Sequence, residues 1–76
     1  MIKLYWTNKP MGYEGDITGT LIGTYKTREA CNRAAITWLE THNIKKDPFS
    51  RFCIDARGRE WEDFGSWSWF FVREEI

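Results

Sequence analysis

Hydrophobic and polar positions alternate from the second residue. Ile2, Leu4 and Trp6 interleave with Lys3, Tyr5 and Thr7, the period-two pattern of a half-buried strand. Asn8-Lys9-Pro10 ends it. Residues 8–19 lose the alternation and hold Pro10, Gly12, Gly15 and Gly19 with Asn8 and Asp16, which predicts a long, polar, turn-rich connection. A second strand is predicted from Thr20 to Lys26. The two strands can form an antiparallel hairpin, with a register that so long a loop leaves open.

The period then changes. At 100° per residue, Ala30, Cys31, Ala34, Ala35, Trp38 and Leu39 sweep one half of a helix, and Glu29, Arg33, Thr37 and Glu40 the other. The spacing predicts an amphipathic helix over 28–42. Thr27 is its N-cap, since its hydroxyl can accept from an orphan N–H in the first turn, and Glu29 complements the helix dipole. The alanines let the helix lie close to a sheet, with Trp38 as the main plug. Asn43 suits the C-terminus, and Asp47-Pro48 stops continuation.

Alternation returns from Arg51 to Ala56, where Phe52 and Ile54 oppose Cys53 and Asp55, and Arg57-Gly58 predicts a tight turn. Residues 60–65 mix acids with aromatics and read as a short strand, a loop or both. The last strand runs from Ser66 to Arg73, closed by the charges of Arg73, Glu74 and Glu75. The reading is one α+β domain over 1–76 in the order β-β-α-β-β. An antiparallel sheet of about four strands carries one amphipathic helix on one face, and Leu4, Phe52 and Ile54 belong to the core under that helix.

Composition narrows the class. Thirteen aromatics make 17% of the chain at a mean hydropathy of −0.56, too aromatic for disorder and too polar for a membrane span. Eleven basic residues balance eleven acidic ones, so no global field draws the chain to nucleic acid or anionic lipid. Residues 1–54 nevertheless carry net +3 and residues 55–76 net −3. Only two cysteines occur, Cys31 and Cys53, and Met1 to Trp6 lacks the apolar core of a signal peptide. A cytoplasmic location with both thiols reduced and packed as small hydrophobes is therefore expected, a single bridge being the alternative.

Catalytic and cofactor patterns fail one by one. The glycines of 12–23 lead into a strand, not a helix, so they make no phosphate loop. Two distant cysteines and one histidine make no zinc site. Cys31 lies roughly 16 Å along the helix from His42, too far to be activated by it. Cys53 with His42 is the other thiol–imidazole pairing, set against a histidine that binds the helix's last carbonyls. Glu60, Glu62 and Asp63 lack the cleft that a glycosidase needs. Neither catalysis nor a cofactor is expected.

Binding is the remaining possibility. The last strand sets Trp67, Trp69 and Phe71 on one side and Phe70 and Val72 on the other. A helix roughly 22 Å long and 10 Å wide cannot cover both faces of the sheet. Tyr5, Tyr25, Trp61, Trp67, Trp69 and Phe71 are accordingly expected on an open face that binds a partner, unless residues 8–19 or 57–65 fold over it. Glu60, Glu62 and Asp63 beside Trp61 suit a basic groove on another protein. Base stacking on the same rings is the competing use and makes nucleic acid or a nucleotide the alternative ligand. A homodimer through the open face is the third reading.

The segment Leu21-Ile22-Gly23-Thr24-Tyr25-Lys26-Thr27-Arg28-Glu29-Ala30 resembles a strand-to-capped-helix pattern of short, functionally unassigned phage and bacterial α+β domains. Phe52-Cys53-Ile54 and Trp67-Ser68-Trp69-Phe70-Phe71 are compatible with it. The resemblance implies a phage-type accessory protein acting in the host cytoplasm, of the kind that includes anti-CRISPR inhibitors of host defence, and it carries no catalytic residue over.

Overall fold

The computed structural model describes residues 1–45, 50–65 and 68–76. Asp47-Pro48, the predicted strand start at Ser66, and Trp67 lie outside them. The elements are β1 (Ile2–Thr7), β2 (Thr20–Tyr25), α1 (Arg28–Thr41), β3 (Phe52–Ile54), β4 (Glu60–Glu62) and β5 (Phe70–Glu75). All strand pairs are antiparallel, in the order β2-β1-β5-β4-β3. The architecture is the expected α+β one with five strands in place of about four, because Glu60–Glu62 pairs on both sides. The first and last strands lie together in the sheet, and the Ile76 N–H donates to the Met1 carbonyl (2.9 Å).

The helix forms where its caps predict. Thr27 Oγ1 accepts from the Ala30 N–H at 3.1 Å. At the other end Asn43 takes φ +56°, with Asn43 N–H donating to Glu40 O and Ile44 N–H to Leu39 O. These paired bonds close the last turn, and the left-handed residue they need is one that asparagine tolerates. His42 Nδ1 meets the Trp38 carbonyl at 2.8 Å, as the carbonyl-binding reading of that histidine requires.

Two clusters form, one on each face. Under the helix, Cys31, Ala35 and Leu39 pack on Leu4, Trp6, Phe64 and Phe71. On the opposite face, Trp61, Phe70 and Val72 are sealed by Met11 and Ile17 of the 8–19 connection, together with Tyr5 and Cys53. That connection re-enters the sheet at Gly19, φ +143°, where a Cβ would meet Trp6 O at 2.5 Å. Strands spaced about 4.8 Å apart make a five-strand sheet roughly 19 Å across, whereas a helix is about 10 Å wide. The helix lies over β1 and β2 and leaves the far strands uncovered on its own side.

Candidate interaction surface

The face expected to be open is closed, through one buried cation. Arg59, only 2% exposed, donates Nη1 to Gly15 O (2.9 Å) and Nη2 to Tyr13 O (2.7 Å), which fastens the 8–19 connection over the second cluster. Its Nε donates to Asp55 Oδ2 (2.7 Å), and the same oxygen accepts from Trp61 Nε1 (2.8 Å). Asp55 Oδ1 accepts from the N–H groups of Arg57 and Arg59. Burial pushes the Asp55 carboxyl up, but the bonds from Trp61, Arg59 and Arg57 outweigh it and hold the group at about 2.

Three expected contact residues are core residues. Trp61 is fully buried, edge-on to Phe70 at 5.9 Å. Phe71 is fully buried under the helix, opposite Trp6 with centroids 4.7 Å apart. Asp63, 1% exposed, ties the start of β3 to the turn after β4. Its Oδ1 accepts from the Arg51 and Gly65 N–H groups, and its Oδ2 from Arg51 Nε (2.7 Å). Burial raises the Asp63 carboxyl and these bonds lower it, with a net shift downward.

The acidic surface is likewise neutralised. Glu60 takes a two-pronged bond from Arg28 at 2.5 and 2.6 Å, which holds its carboxyl below the usual range. Glu62 accepts from Arg73 Nη2 at 3.0 Å, while Arg73 Nε donates to Asn32. Tyr5 is half-buried and donates to Glu74 at 3.4 Å. Tyr25, also half-buried, lines a shallow depression of about 330 Å³ with Trp38, Thr41 and His42. Trp69 is 40% exposed and stacks on Trp6 at 5.8 Å. Trp67 is outside the described residues.

The most exposed apolar strand residues are two expected in the core under the helix. Phe52 and Ile54 are 52% and 63% exposed. Their parity is right: the register sets them beside Glu62 and Glu60, on the helix side of the sheet. Their strand, however, is an edge beyond the helix's reach. Ile36 on the helix is 42% exposed. Beside Ile36 lies a depression of about 200 Å³ lined also by Asn32, Glu62, Phe64 and Arg73. The alternation of Phe52 and Ile54 is that of a core strand, and sheet order decides that it lies outside the helix's cover.

Cys31 and Cys53 are both free thiols, each pushed up by burial. Among the described residues no group of three His, Cys, Asp or Glu side chains could hold a metal, and no helix is long and apolar enough to cross a membrane. No family model, curated protein or solved structure matches the chain.

Proposed function

We propose that the chain is a non-enzymatic protein-binding module, a phage-type inhibitor of a host defence system, that engages its partner through the uncovered helix side of the sheet. Phe52, Ile54 and Ile36 form the apolar part of the contact, with Trp69 along the same side and the paired Glu60 and Glu62 between. The observation that carries the reading is this exposure. Three large aliphatic or aromatic side chains stand 42–63% in water, in a domain small enough that it can ill spare them from its core. A rim of carboxylates already bonded to arginines gives polar complementarity without isolated charge.

The test is a double substitution, Phe52→Ser with Ile54→Ser. Both side chains are already in water, so the fold should survive, as near-ultraviolet circular dichroism will report. In a phage-protection assay with the defence system active, the folded variant should lose protection. Its affinity for the purified effector complex should fall at least about tenfold, the effect of removing a small hot spot. Full protection by the folded variant overturns the surface. Tight binding to single-stranded DNA or a cyclic nucleotide at low salt, with no effector binding, replaces the reading by the nucleotide one.

A further inference from the structure

The sheet has two edges, and they are built differently. Along β2 the register slips between Leu4 and Tyr5, so that Ile22 is an extra residue. Gly23 beside it sits against the Tyr25 ring. A bulge bends an edge and disorders its row of unpaired donors. The other edge, β3, has no such protection: its register with β4 is unbroken, and it contains no proline or charge.

Its free groups can be identified. The Asp63 N–H donates to Arg51 O, and the Asp55 N–H to Arg59 O. Hydrogen-bonding direction alternates along an antiparallel strand, so Arg51, Cys53 and Asp55 face β4. The N–H and C=O groups of Phe52 and Ile54 point out of the sheet, and no described residue bonds to them.

We propose that this edge joins two copies of the chain: β3 pairs antiparallel with β3 of a second copy about a two-fold axis at Cys53, making one continuous ten-stranded sheet. The stretch Arg51-Phe52-Cys53-Ile54-Asp55 is complementary to itself in that register. Phe52 falls opposite Ile54 of the second copy, and Ile54 opposite its Phe52. These two pairs exchange four N–H···O=C bonds through the groups left unpaired, with apolar side chains adjacent on one face. Arg51 falls opposite Asp55 at both ends, and because the Asp55 side chain is buried on Arg59 and Trp61 while Arg51 is bonded to Asp63, the axis brings no like charges together. The Phe52–Ile54 pairing, repeated by the two-fold axis, favours the chain's own image over an arbitrary strand. The neighbouring charges are already paired within each copy, Arg28 with Glu60, Arg73 with Glu62 and Arg51 with Asp63. The net charge of zero adds no repulsion at a distance.

Pairing of this kind lies in the plane of the sheet. It goes beyond the protein-binding reading and does not rest on it, and it would set the two helix-side surfaces next to each other as one. Three residue pairs make a small interface, so association belongs in the micromolar range.

Sedimentation from about 10 µM to about 1 mM spans that range. The mass should rise from 9.1 kDa to twice that value. The Ile54 N–H points outward, so Ile54→Pro removes a donor from the contact and none from the β4 ladder; it should stay monomeric with unchanged near-ultraviolet dichroism. Phe52→Lys, which leaves the backbone alone, should weaken association at least about tenfold and serves if the proline variant does not fold. Cys53 would form a non-hydrogen-bonded pair with its counterpart, with Cα atoms about 4.5 Å apart, close enough for a disulfide. Diamide, taking up the two thiol hydrogens, should then yield a covalent dimer whose bridge maps to Cys53 on both chains. A chain monomeric at every concentration, a dimer untouched by both substitutions, or a bridge mapping to Cys31 overturns the proposal.

Discussion

The two faces of the sheet are sealed by different means. On one, a capped helix contributes Cys31, Ala35 and Leu39 to a cluster of many apolar contacts. On the other, an irregular connection contributes Met11 and Ile17, and a single buried guanidinium holds it in place. A helix roof is redundant, since each side chain carries part of the burial and the backbone satisfies itself. A loop roof is not, because its carbonyls need a donor from elsewhere. The helix face should therefore weaken by degrees when altered, and the loop face should fail at one residue.

The sharpest way to break that contrast is Arg59→Met. It keeps the bulk but strands the Asp55 carboxylate and the Gly15 and Tyr13 carbonyls in the interior. Removing one partner of a buried pair costs about 3–5 kcal/mol. Urea denaturation should show a loss of that size, a large fraction of the total stability of so short a chain. A loss near 1 kcal/mol would mean that the connection holds itself closed.

Acid probes the same face less severely. Asp55 has its folded pKa depressed from 3.8 to about 2, so it adds stability that is complete above its unfolded value and disappears as pH falls through the folded one. The shift corresponds to about 2 kcal/mol. Denaturation midpoints should be flat down to mildly acidic pH and then drop, with Glu60 and Asp63, also depressed, steepening the fall. Asp55→Asn should flatten the part of the curve below pH 3.8.

The smallest effect belongs to the helix face. Thr27→Ala removes the hydroxyl that caps Ala30 N–H and should cost about 1 kcal/mol, with the loop face unaffected in hydrogen exchange. A loss as large as that of Arg59→Met would erase the distinction between the roofs.

Much of the helix face was legible in the sequence, because its signals are local. The alternation of Ile2, Leu4 and Trp6, the Thr27 cap and the three-to-four spacing of Cys31, Ala35 and Leu39 each concern residues within a turn or two. The loop face and the candidate surface depend on pairings across distance. Glu60 reads as a solvated acid until Arg28, 32 residues earlier, is known to grip it. Asp63 depends on Arg51, 12 residues away. Phe52 and Ile54 have the parity of core residues. Only the insertion of β4 between them and β5 carries them past the helix, and no local pattern encodes sheet order. One local signal does point to the loop face: Asp55 before Arg57-Gly58 is the arrangement in which an aspartate caps its own turn, and Arg59 and Trp61 follow it on a single face.

The contact between Met1 and Ile76 bears on how this unit can be combined with others. Chain entering at residue 1 and chain leaving at residue 76 would do so side by side, both at the strand pair β1–β5 and away from either edge of the sheet. Such a unit can be spliced into an exposed loop of a carrier protein, where it closes the gap between two neighbouring points without stretching its host.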